Sequence, residues 1–65
     1  MGFEKKVLEV VKEVTDTGAY FFNGTMFLET DDSKVATKVF DAIYNQIACG
    51  VIFGKVGSET FYDFV

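Results

Sequence analysis

A few groups of side chains in this sequence have the types and spacing for chemistry. Glu29, Asp31 and Asp32 crowd one short stretch, and hard oxygen ligands for magnesium or calcium can be grouped in this way. The glycine and distal glutamate of a calcium loop are missing, however, and acidic residues ahead of an apolar helical run serve equally well to cap its free N–H groups and oppose its dipole. Capping is the expected role. Glu59 and Asp63 fall on one face of a strand with Phe61 between them. Two carboxylates can act as acid and base when their surroundings push their pKa values apart; along an apolar strand they more commonly keep the strand from pairing where it should not. Cys49 is a nucleophile by type, but the chain has no histidine to activate it, so a Cys–His pair is impossible. A small buried side chain at a helix end is the plainer reading. Ser33 and Ser58 lack a base for the same reason. Gly54-Lys55-Val56-Gly57-Ser58 contains a Gly-Lys pair without the spaced glycines and following helix of a phosphate loop. No catalytic residue, metal ligand or cofactor-binding residue is expected, and the chain reads as non-enzymatic.

Composition narrows the field further. The 65 residues hold ten acidic side chains against six basic ones, all lysine, for a formal net charge of -4. Nucleic-acid binding is driven largely by clustered Lys and Arg that displace counterions, and here the lysines are scattered. Tyr20, Phe22, Phe27 and Phe61 offer the stacking half of a single-strand platform without its electrostatic half, so no nucleic-acid partner is expected. Aromatic residues make up 17% of the chain, which excludes a disordered segment. No apolar run approaches the ~20 residues that span a bilayer. The N-terminal residues match neither a signal peptide nor a myristoylation pattern, and a cytoplasmic protein is expected. A domain of this size rarely gains more than about 3–5 kcal/mol from its core. One cysteine cannot close an intrachain disulfide, and one cysteine without histidine cannot build the usual zinc site. Association with another subunit is the stabilising route left.

The elements that would position these residues are legible from periodicity. Phe3, Val7, Val10, Val11 and Val14, with Leu8 beside them, recur at helical spacing over 3–15. Asn23-Gly24, set between aromatic and apolar runs, signals a two-residue hairpin joining strands 19–22 and 25–30. Asp31-Asp32-Ser33 opens a second helix with an apolar stripe of Ala36, Val39, Phe40, Ile43 and Ile47, and Gly50 is placed to close it in a left-handed conformation. Over 51–65 a Gly57-Ser58 turn of type II′ predicts a second hairpin. The fold class is therefore α+β in the order α-ββ-α-ββ: a small antiparallel sheet of four strands as two hairpins, with two helices on one face, in one domain spanning 1–65. The alternative makes 19–30 one long bent strand, α-β-α-ββ with three strands.

Side chains alternate between the faces of a strand, and the charged positions mark the outer one. The helices are expected to cover Phe21, Met26, Leu28, Val51, Phe53, Tyr62 and Phe64, with Lys55 at the sheet margin. Tyr20, Phe22, Phe27, Ile52, Val56 and Phe61 are left on the far side. Sheet twist or a wrapped terminus would bury some of them. The sharper reading is an interface, used for self-association, with a small-molecule or peptide groove as the other option.

Phe27-Leu28-Glu29-Thr30-Asp31, Val51 through Glu59, and Phe61-Tyr62-Asp63-Phe64-Val65 together resemble small uncharacterised proteins of marine cyanobacterial phages. The resemblance covers the C-terminal two-thirds of the chain and carries no catalytic signature. It implies a viral accessory protein made in the host bacterial cytoplasm, and no functional residue transfers with it. The expected function is a protein–protein interaction or self-associating accessory role, as a homo-oligomer (a dimer before other states), with a host or virion protein as a further partner. The alternative is a regulatory protein that binds a small molecule in a cleft at the dimer interface; an enzyme with a site shared between subunits ranks last.

Overall fold

The computed structural model describes residues 2–47 and 50–65. The order of elements is α1 (Gly2–Val14), β1 (Ala19–Phe22), β2 (Thr25–Leu28), α2 (Ser33–Ile47), β3 (Val51–Val56) and β4 (Glu59–Phe64). The architecture is the α+β fold expected, with four strands, and the three-strand alternative is excluded.

Turn chemistry makes both hairpins. Asn23 (φ 52°) and Gly24 (φ 83°) both take the left-handed region, as a type I′ turn demands, and Phe22 pairs with Thr25. Gly57 alone has positive φ (61°) in the second turn, as type II′ requires, and Val56 pairs with Glu59. The hairpins then join through β2 and β4 in the spatial order β1-β2-β4-β3, with every neighbouring pair antiparallel. The last strand in sequence is therefore internal, and β1 and β3 form the edges.

The helices pack on each other, α1 against β1 and α2 against β3. Val7, Val10 and Val11 of α1, Ala36, Val39 and Ile43 of α2, and Met26, Leu28 and Tyr62 of the sheet are all buried. Two hydroxyls tie the core to the backbone. The Tyr62 hydroxyl donates to the Ala36 carbonyl at 2.8 Å. The Thr60 hydroxyl donates to the Thr30 carbonyl at 2.7 Å, pinning the connection before α2 to the central strand. Burial pushes the Tyr62 phenol well above its ordinary range, because the ionised form would lose its solvation.

Three local expectations need correction. The second strand stops at Leu28, not Thr30: the Thr30 N–H turns back to the Leu28 carbonyl at 2.8 Å and bends the chain toward α2. The expected closure of α2 at Gly50 rests on residues outside those described; what is seen there is a demand for space, since a Cβ on Gly50 would meet the Val65 side chain at 2.7 Å, where the Val65 N–H bonds the Gly50 carbonyl. Phe3 meets the sheet through an edge-to-face contact with Phe64 and stays about half exposed, at 46%. Phe53 lies on the helix side against Phe40 and Tyr62, yet its place on an edge strand leaves it open at its flank. Cys49 lies outside the described residues.

Candidate functional site

The register puts Tyr20, Phe27, Phe61 and Gly54 in one row across all four strands on the side away from the helices. Phe22, Thr25, Asp63 and Ile52 form the next row. Val56 and Glu59 pair at the other end of the face, and Glu29 has the same parity just beyond β2. All six residues expected there, Tyr20, Phe22, Phe27, Ile52, Val56 and Phe61, thus share one surface. Phe22 is 63% exposed, Ile52 58%, Val56 49% and Tyr20 40%. Phe27 and Phe61 are half-buried by their neighbours in the middle. Among the described residues, neither twist nor a wrapped terminus covers Phe22, Ile52, Val56 or Tyr20.

Side chains within the face pack on one another. Tyr20 stacks on Phe27 with ring centroids 5.4 Å apart. The Phe61 ring lies over Gly54, so close that a Cβ there would sit 3.1 Å from it. Glycine in a strand interior often marks such a close approach, and here it lets an aromatic ring flatten onto the sheet. The Tyr20 hydroxyl reaches across β2 to Glu59 and donates to its carboxylate at 3.1 Å from either oxygen. Loss of water around the phenol, followed by the Glu59 hydrogen bond and the charges of Glu59 and Glu29, raises the Tyr20 pKa, so this hydroxyl stays a donor at neutral pH. At the opposite end the Thr25 hydroxyl donates to Asp63.

The carboxylates divide by place. Glu59 and Asp63 do share a face around Phe61, but four residues of strand separate them by about 13 Å, and each is held by a hydroxyl. Asp32 caps α2 by accepting the Lys34 N–H at 2.9 Å, while the Thr30 hydroxyl accepts the Asp32 N–H at 3.1 Å. Glu29 turns to the outer face beside Gly18, and Asp31 faces a small hollow with Ser33 and Lys55. The three acidic residues that crowd the sequence therefore separate, and no group of three or more potential metal ligands gathers among the described residues. A hollow of about 500 Å³ lies elsewhere, where the last turn of α1 meets the start of β1.

Sequence reasoning missed the part played by four residues. Gly54 gives no sign of its role until the register sets it opposite Phe61. Glu29 read as part of a capping cluster, and Glu59 and Asp63 as charges that guard the strand, whereas together they frame the aromatic surface and are all the charges it has. The alternating pattern contained that signal, because Lys55, the one lysine on a described strand, falls on the opposite face with Thr60. No described helix is long and apolar enough to cross a membrane. Comparisons with protein-family models, with curated proteins and with solved structures return no match.

Proposed function

We propose that the chain is a non-enzymatic protein–protein interaction module, that its outer sheet face is the binding surface, and that a second copy occupies it as a homodimer in the cytoplasm. The observation that carries this reading is the row Tyr20–Phe27–Phe61 with Phe22, Ile52 and Val56 around it, an apolar sheet face without a covering layer. Sheets are stable when each apolar face is buried against another layer, and exposed contiguous apolar patches mark interaction sites. A core of this size gains support from a partner subunit. Spacings of about 4.8 Å between strands and 3.3 Å along them make the face roughly 19 by 20 Å, small against the ~800 Å² that each partner commonly buries. The homodimer is accordingly weak and dilutable. The phage resemblance adds a host or virion protein as the second kind of partner.

Light scattering after size exclusion over a wide dilution series tests this. The parent should pass from dimer to monomer on dilution. Phe27→Asp and Phe61→Asp should each weaken association at least thirtyfold, about 2 kcal/mol, by placing an unpaired charge in the contact. Phe22→Asp, at an exposed position, should do so with the melting temperature of the dilute monomer unchanged, which separates lost association from lost folding. Parental masses for all three variants at every concentration would overturn the assignment.

A further inference from the structure

We infer that the outer sheet face also takes a foreign partner of defined chemistry, an amphipathic basic helix laid across its aromatic row. The inference rests on the reading of this face as a protein-binding surface and adds who binds there.

The argument is charge placement. The outer face carries Glu29, Glu59 and Asp63 and no lysine. Lys5, Lys6 and Lys12 are on α1, Lys34 and Lys38 on α2, and Lys55 pairs with Thr60 on the helix-side parity of the sheet. Six lysines against seven carboxylates nearly balance the rest of the molecule, so three of its four net negative charges sit on this one face. Glu59 and Asp63 receive hydroxyl hydrogen bonds from Tyr20 and Thr25. Those bonds orient the carboxylates without neutralising them.

Such a face suits a cationic visitor better than its own twin. A second copy brings the same three carboxylates and no cation, and like charges across a contact oppose it. A basic segment brings lysine or arginine to both ends of the face, and cations also settle over exposed aromatic rings. A helix is the shape required, since an extended peptide finds no free backbone partners on the face of a sheet, whereas a helix on an open sheet face completes a second covering layer. Glu59 and Asp63 lie about 13 Å apart along β4. Two basic residues seven apart on a helix rise about 10.5 Å on the same side, and their long side chains span the difference. The two apolar residues between them, at the third and fourth positions, meet Phe61 and Phe27. Homodimer and basic helix share one surface and exclude each other, so the homodimer holds the face until a basic helix displaces it.

The probe is a synthetic amphipathic helical peptide with two lysines seven residues apart flanking a leucine pair, set against the same peptide with both lysines replaced by glutamate. Binding is measured by fluorescence anisotropy on the full chain, and mass by light scattering. The lysine peptide should bind at least tenfold tighter than the glutamate peptide, convert the homodimer to a one-to-one complex and weaken as salt rises. The Glu59→Gln, Asp63→Asn double variant keeps the hydroxyl contacts and should lose most of the preference for the lysine peptide, Glu29 retaining the remainder; Phe22→Asp should bind neither. Equal binding of both peptides by the parent overturns the inference, as does unchanged preference in the double variant. No binding of either peptide, with Phe22-dependent dimers still present, overturns it and leaves the homodimer reading standing. No binding, with dilution behaviour indifferent to Phe22→Asp, removes both.

Discussion

The two faces of the sheet are written in the same alternating code and meet opposite fates. On the helix side Met26, Leu28 and Tyr62 are wholly buried, and the polar atoms among them are answered: no buried side-chain nitrogen or oxygen among the described residues lacks a partner. On the other side Phe22 and Ile52, no less apolar, remain more than half exposed. Two helices of 13 and 15 residues are enough to cover one face. The difference teaches that apolar content alone does not assign a residue to a core; in a chain this short, stability and recognition are drawn from opposite sides of one layer.

The comparison breaks most visibly at the centre of the covered face. Met26→Ala removes a side chain with no exposed surface and leaves a cavity, at a cost of about 2–5 kcal/mol. That approaches the whole stability available to a domain of this size. Urea unfolding of the variant should show a large loss of midpoint or no folded baseline. A loss below 1 kcal/mol would mean that the two faces are not as unequal as their burial indicates.

Much of this inequality was readable before any coordinates. Asn23-Gly24 and Gly57-Ser58 located both hairpins because turn types impose their own residues, and the charged positions Glu29, Glu59 and Asp63 marked which parity faces out. Strand order was not readable, because it depends on which hairpin edges the helices bring together. β4 became internal through the β2–β4 pairing, a contact between residues far apart in sequence. Gly50 shows another limit. A glycine after a helix announces a need for freedom or for space, and the need for space shows only once Val65 is seen packed against it. The Tyr20–Glu59 contact was hidden for the same reason as strand order, being 39 residues long-range and reaching over an intervening strand. The division of charge between faces lay in the parity of the carboxylates and became a property of a surface only once the register was known.

A finer test uses the two tyrosines that the faces hold. Tyr62→Phe deletes the hydroxyl that donates to the Ala36 carbonyl, and should cost about 1 kcal/mol at neutral pH. Its sign with pH is definite. The Tyr62 phenol is raised in the folded state, so its stabilising contribution is whole below the unfolded value near 10 and is lost as pH climbs from there toward the folded one. Over that window stability falls by up to about 1.4 kcal/mol per pH unit. The parent should therefore lose stability steeply above pH ~10, whereas Tyr62→Phe should remain nearly flat and overtake it. Tyr20, raised in the same direction but on the open face, should leave that alkaline slope almost unchanged when replaced by Phe. Equal effects of the two replacements would erase the distinction between the faces.

The smallest effect belongs to the most exposed ring of the open face. Phe22 protrudes next to the Asn23-Gly24 turn and is 63% exposed, so truncation to alanine takes little from the monomer: a change within about 0.5 kcal/mol, as for other surface positions. Removing apolar area from water at an interface is worth roughly 25 cal/mol per Å², and a ring this open has most of its surface still to bury when a partner arrives. Phe22→Ala should then leave the melting curve of dilute protein in place and shift the dimer–monomer dilution midpoint to higher concentration. A shift in melting with no shift in dilution would show that Phe22 serves the hairpin and not the contact, which would narrow the binding surface to the strands around Phe27 and Phe61.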